Sequence, residues 1–284
     1  MKRIARLMMT GILFAGLAGG GMQAQAADFD KPSYDRVSVS ERNYEKLFGD
    51  EKLPGEQNDP ELAQTMKHFV YGDVAMQNKL TDKQRQLVTV AVLAVNQNEE
   101  LLKANVKASL NVSVTPLEIR ETIYQAAPYM GFPKAFEALK AANEVFAAEG
   151  IKLPLPAQGT VTEENRIVEG SNVQVGIYGQ RILDARANAP ADQKHIQEDL
   201  AGFCFGDTYT RGTLDLKMRE LITVSVIAAL GGAEPQLKGH IQGNIAVGND
   251  RETIIGAITQ IMPYIGFPRT LNAMNAVNQV APVK

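Results

Sequence analysis

The chain has 284 residues, a formal charge of −3, a single cysteine and no tryptophan. A balance this mildly acidic gives no support for nucleic acid or an anionic membrane as partner, and Cys204, being alone, excludes an intrachain disulfide. Stability has to come from packing and assembly, and the length allows one large core or two modest ones.

The first 26 residues read as a unit apart. "MKRIAR" is basic, "LMMTGILFAGLAGGGM" is apolar and glycine-rich, and "AQA" supplies small residues for cleavage after Ala26. This layout predicts a secretory signal peptide. The apolar run is too short and too rich in glycine for a membrane span, and no cysteine follows it to carry a lipid. Losing Lys2, Arg3 and Arg6 with it leaves a net charge of −6 on about 258 residues. The expectation is an exported, soluble, periplasmic protein with no membrane partner.

The rest of the chain repeats itself. "PYMGFP" (128–133) returns as "PYIGFP" (263–268), and the segments before them fall into register. "LVTVAVLAV" (87–95) stands over "LITVSVIAA" (221–229), "LLKAN" (101–105) over "QLKGH" (236–240), and "YGD" (71–73) over "FGD" (205–207). The offset is 134, then 135 after one extra residue in the second copy. Only two copies fit, which predicts a tandem duplication and not a solenoid. The organisation expected is a first repeat over 27–146, a linker over 147–165 rich in Pro, Gly and Thr, and a second repeat over 166–284.

Both copies read as all-α helical bundles. In the first, Thr81 with Gln84 forms a capping box, and Thr115-Pro116 opens a later helix. In the second, Asp215 caps a helix over Leu216–Leu230, apolar nearly all round and so the buried centre of its domain. Pro235 starts the next helix, with Leu237, Ile241 and Ile245 on one stripe, and Asp250 caps the third. The hexapeptide ends that third helix at its glycine, and Pro268 begins the last one. Its tyrosine and phenylalanine are expected to plug the corner.

Chemistry is better sought where the copies differ. Glu220 stands over Gln86, and His240 over Asn105, so one copy holds a carboxylate and an imidazole where the other has neutral amides. Facing one interior, the acid fixes the imidazole tautomer and raises its pKa, which suits a general acid or base. The plain alternative is a satisfied structural pair. Arg211, Arg219 and Lys238 lie near these elements as candidate carboxylate clamps, or as solvated helix charges. His68 and His195 fall in polar helical segments; His195 with Glu198 has i, i+3 spacing, but nothing nearby completes a metal shell, so no metal and no cofactor are expected. Cys204, between two phenylalanines, reads as a small buried hydrophobe before a nucleophile.

From "RELITV", the histidine that follows and the "Y-x-G-x-P" corner, the second copy resembles the carboxymuconolactone decarboxylase family, which shares its fold with the alkyl hydroperoxidase D proteins. The first copy matches more loosely. The resemblance implies two tandem helical-bundle domains of that fold, and rings of subunits, so that a trimer of tandem chains replaces a hexamer. It also implies that Glu220 and His240 are the family's acid and histidine, with a small carboxylic acid or lactone as partner. Arg211 and Arg219 would then anchor a carboxylate while Tyr264 lines the pocket. The Cys-x-x-Cys pair of the peroxidase branch is replaced here by Ala233 and Gln236, which removes the disulfide mechanism. The leading expectation is a lyase working by Glu/His acid–base chemistry. The alternatives are a small-acid binding protein without turnover and a redox role through Cys204.

Overall fold

A computed structural model describes residues 32–283. The expected signal peptide, 1–26, lies outside the described residues. The helices are α1 (Arg36–Phe48), α2 (Pro60–Lys67), α3 (Asp82–Asn96), α4 (Glu99–Asn111), α5 (Pro116–Met130), α6 (Phe132–Ala148), α7 (Arg166–Tyr178), α8 (Arg181–Ala187), α9 (Lys194–Asp199), α10 (Leu216–Leu230), α11 (Glu234–Ala246) and α12 (Arg251–Val280). Two π-helical segments, His68–Val74 and Leu200–Tyr209, continue α2 and α9. No strand occurs among the described residues.

The duplication holds to the residue in its central part. α3 and α10 stand 134 positions apart at both ends, α4 and α11 stand 135 apart, and α5 begins 135 before α12. The caps are those expected. Thr81 and Thr115 form capping boxes with Gln84 and Glu118, Asp215 accepts from the Met218 amide, and Asp250 accepts from that of Thr253. Each fixes its helix start by pairing an otherwise orphaned N–H.

The hexapeptides act as breaks. Gly131 (φ 84°) and Gly266 (φ 76°) adopt a backbone reserved in practice for glycine, so α5 turns into α6 and α12 is interrupted at the same place. Pro133 and Pro268 then occupy the first turn of the following helix, where their missing N–H is not needed. The phenylalanines do not plug the corner: Phe132 and Phe267 are more than half exposed. The tyrosines turn inward, but each toward the other copy.

That crossing is general. α3 and α10 are the buried central helices of the two tandem helical domains. They pack on each other, α5 lies on α10, and α12 lies on α3, so both repeats build one continuous apolar core. The fully buried Arg219 is bound by Leu214, Arg211 and Gly212 carbonyls and, through Nη1, by Gln125 Oε1 of the first repeat at 2.8 Å. Arg85 repeats this with Leu80, Ala75 and Asn78 carbonyls and with Gln260 of the second repeat. Gln125 and Gln260 also donate to Thr223 and Thr89. One buried and one half-buried cation are thus satisfied across the repeat boundary, and neither half keeps its polar core paired without the other.

Candidate functional site

α10 places Glu220 one turn inside its start, where the side chain is fully buried. α11 places His240 opposite, with 13% of its side chain exposed. Asn244 holds the two helices together: its Nδ2 donates to the Glu220 carbonyl at 2.9 Å and to the His240 carbonyl at 2.8 Å. His240 Nδ1 lies 3.0 Å from Glu220 Oε2.

Two phenols complete the pair. Tyr178, last residue of α7, donates to Glu220 Oε1 at 2.8 Å and lies 2.8 Å from His240 Nδ1. Tyr209, at the end of the second π-helical segment, donates to the same Oε1 at 2.8 Å. With both phenol protons on Oε1, Nδ1–H points to Oε2 and Nε2 is the nitrogen left for a ligand. Burial, with the Glu220 charge next in effect, pushes the Tyr178 and Tyr209 hydroxyls well above the usual phenol range. They are therefore fixed as donors.

Glycines permit this density. A Cβ on Gly243 would lie 2.6 Å from Glu220 Oε2 and 2.8 Å from Tyr178 Cε1, so only glycine leaves room for the pair. A Cβ on Gly170 would meet the Ala201 carbonyl oxygen at 1.9 Å, and one on Gly206 the Arg166 carbonyl at 2.2 Å. α7 therefore packs backbone to backbone on the π-helical segment, and Tyr178 and Tyr209 converge on one carboxylate.

The set lies at the base of a cleft of about 550 Å³ whose walls include Pro128, Tyr129, Ile182, Leu200, Phe203 and Phe205. Tyr129, from the first repeat, meets the His240 ring edge to face at 5.5 Å. Cys204 also lines it. Its Sγ donates to Tyr129 Oη at 3.4 Å, and burial pushes the thiol up to about 12. It is a protonated, packed thiol, without the cationic neighbour that would make a nucleophile.

The structure thus brings Glu220 and His240 together and moves three expected residues elsewhere. Arg219 is walled in by the carbonyls and amide described above and reaches no ligand. Arg211 is paired with the buried Glu121, at 2.7 and 3.1 Å, and stacks over Tyr124 at 4.7 Å. Tyr264 lies in the first repeat's counterpart pocket, beside Tyr71 and Gln86, because the hexapeptide tyrosines cross over. Tyr129 takes the place given to it. Among the described residues, Arg181 and not Lys238 is the cation lining the cleft. His195 is exposed, His68 is half-buried at the start of its π-helical segment, and no group of three His, Cys, Asp or Glu that could hold a metal occurs among the described residues.

Sequence reasoning missed Tyr178, Tyr209, Tyr129, Arg181 and Gly243. Tyr178 had a signal, since it stands 134 positions after Tyr44 and extends the repeat upstream. Gly243 over Ala108 was a third difference beside the two amides. Tyr209 stands over Ala75, and nothing in a lone sequence marks it.

The sequence profile of the carboxymuconolactone decarboxylase family matches twice, at residues 60–144 and 195–279. Over 86 residues the chain is 35% identical to a 4-carboxymuconolactone decarboxylase of Acinetobacter baylyi. Over a stretch of the same length it is 33% identical to an uncharacterized 15.0 kDa protein in the nqo9-nqo10 intergenic region of Paracoccus denitrificans. Each match covers 30% of this chain and 64% of the relative. With both repeats matched over the helices that carry the Glu220–His240 pair and its amide counterpart, the chain belongs to the carboxymuconolactone decarboxylase family as a tandem, all-helical member.

Proposed function

We propose that the protein is a cofactor-free lyase that uses acid–base chemistry on a small lactone or oxo-acid. The observation that carries this reading is the hydrogen-bonded Glu220–Tyr178–His240 set at the base of an apolar cleft. Glu220 holds Nδ1–H and stabilises the imidazolium, leaving Nε2 to give or take a proton at the substrate. In a decarboxylation the bond to the carboxylate breaks, carbon dioxide leaves, and the electron pair is taken up by a conjugated carbonyl. The imidazolium then delivers its proton to carbon and is recharged from water. Apolar walls strengthen each of these charge interactions by excluding water.

The test is carbon dioxide release, followed with ultraviolet traces, on a panel of lactones and oxo-acids that includes carboxymuconolactone. Release by wild type that disappears in His240→Gln is expected. No release from any panel member, with both proteins folded, would sink the lyase reading. A redox role through Cys204 is disfavoured by its protonated, buried thiol; Cys204→Ser is expected to leave turnover within about twofold.

Assembly and address belong to the same proposal. Two similar aromatic patches, Phe132/Phe136/Phe203 and Phe267/Leu271/Phe69, stand at equivalent positions of the two repeats, with Phe136, Phe267 and Leu271 more than half exposed. Such patches support association into a trimer of tandem chains. Sedimentation is expected to show a trimer that Phe136→Lys dissociates. The pattern of residues 1–26 supports export to the periplasm, and the purified native protein is expected to begin at Ala27.

A further inference from the structure

The distribution of charge around the cleft is not that of a site for a dianion. The two arginines expected to hold carboxylates are consumed inside the protein, one by buried carbonyls and the other by Glu121. What remains at the mouth is Arg181, exposed, over the Tyr178 ring at 5.5 Å, with Nη1 donating to Gln242 at 2.6 Å. Its acceptor is a neutral amide, so its positive charge is available to a ligand. Among the described residues, the other charged group lining the cleft is the exposed Asp199, which would repel a second carboxylate. Ile196 and Leu200, which line the same cleft as Phe203, stay 55% and 39% exposed and give it an apolar wall. A volume of about 550 Å³ is ample for more than a compact lactone.

We infer that the substrate carries one carboxylate on an extended apolar body, the carboxylate on Arg181 and the body against Ile196, Leu200 and Phe203. This rests on the reading of the cleft as the reaction site. It sets this chain apart from a decarboxylase of a compact dicarboxylate. One charge-assisted hydrogen bond suffices for one carboxylate, and the apolar walls select for length.

The test is calorimetric titration of the purified protein with octanoate, 4-phenylbutyrate and octanedioate, the last matching octanoate in length and adding a second carboxylate. Octanoate and phenylbutyrate are expected to bind at least about tenfold tighter than octanedioate, and Arg181→Gln to weaken octanoate about tenfold. Asp199→Arg, at an exposed position, is expected to improve octanedioate several-fold more than octanoate. Octanedioate binding as tightly as octanoate, an Arg181→Gln variant with unchanged affinity, or no binding of either monocarboxylate would each overturn the inference. His240→Gln separates it from the acid–base reading, because that variant should lose turnover and still bind octanoate through Arg181. If monocarboxylates bind and no panel member is turned over, the lyase reading falls and this one stands. If carboxymuconolactone is turned over and octanoate does not compete, the reverse holds.

Discussion

The two halves of the molecule share a backbone and differ in what they bury. Around α10 and α11, Glu220 accepts from Tyr178 and Tyr209 and holds His240, beneath an open cleft. Around α3 and α4, Gln86 and Asn105 take those positions, and the connections are gone. Asn105 donates to its own helix at Leu101, Gln86 accepts a long 3.4 Å bond from Ser109, and Tyr44, in the place of Tyr178, donates to the Glu51 carbonyl. Tyr44 and Phe48 stack at 4.8 Å with Tyr71 edge-on, and Ala104, Ala108 and Leu101 replace Gly239, Gly243 and Gln236. The lesson is that a buried carboxylate and imidazole are kept only where donors, glycine space and a path to solvent come with them. Where these are lost, amides and apolar filling take over.

The contrast is broken most strongly by making the second half resemble the first. Glu220→Gln and His240→Asn are each expected to lower kcat/KM by about 10²–10⁴-fold. The double variant should be little worse than either alone, because the groups act as a unit. Steady-state kinetics checks both statements, and strict multiplicativity would argue against a coupled pair. The reverse change tests the first half. Gln86→Glu places a carboxylate where Tyr209 has become Ala75 and Tyr178's counterpart points away. It should create no activity and destabilise by about 3–5 kcal/mol, as for an uncompensated buried charge. Urea unfolding measures this, and an unchanged midpoint would mean that the first half still receives a carboxylate.

Much of this was legible in the sequence because it was written in local chemistry. Caps such as Asp215 and Thr115 and the Gly266 break depend on residues a few positions apart, and the 134/135 register appears when one copy is laid over the other. Glu220 and His240 emerged from comparing the copies, since an amide for an ion at two related places is a visible difference. The crossing of the repeats was not legible. Arg219 looked like a free cation because one partner, Gln125, comes from the other copy, 94 positions away, and the rest are the backbone carbonyls of Arg211, Gly212 and Leu214. Tyr264 and Tyr129 exchange places for the same reason. A sequence repeat shows what is duplicated, and only packing shows which copy each side chain serves.

Smaller changes sharpen the comparison at single atoms. Gly243→Ala imposes the first half's Ala108 on the second, where its Cβ would lie 2.6 Å from Glu220 Oε2. Shifting that carboxylate should lower kcat/KM on the order of 10²-fold with the fold retained, as judged by circular dichroism. Tyr178→Phe removes one bond to Glu220 and one to His240 and leaves Tyr209 in place. A loss of about tenfold in kcat/KM is expected, read by steady-state kinetics.

Alkaline pH separates the halves by their phenols. Tyr178 and Tyr209 are raised by burial first and then by the Glu220 charge, and Cys204 reaches about 12 by burial, opposed by its bond to Tyr129. Tyr44 and Tyr264 are each raised to about 12 without Glu220, Tyr44 by burial with Glu56 and Glu51, Tyr264 by burial against bonds to Tyr71 and Thr89. For every one of these groups the folded value exceeds the unfolded one. The stability they contribute is complete below the unfolded value, about 8.5 for a thiol and 10 for a phenol, and is lost as pH rises through the folded values. The unfolded chain releases protons there that the folded chain retains, so urea midpoints should fall steadily above a pH of about 9. Replacing Glu220 by Gln removes a charge felt by Tyr178 and Tyr209 and by neither Tyr44 nor Tyr264. Tyrosinate absorbance in that variant should therefore show part of the phenol titration moving to lower pH while the rest stays in place. A uniform shift of all phenols would mean that the Glu220 charge is felt across both halves, and the division between the two would be electrostatically unfounded.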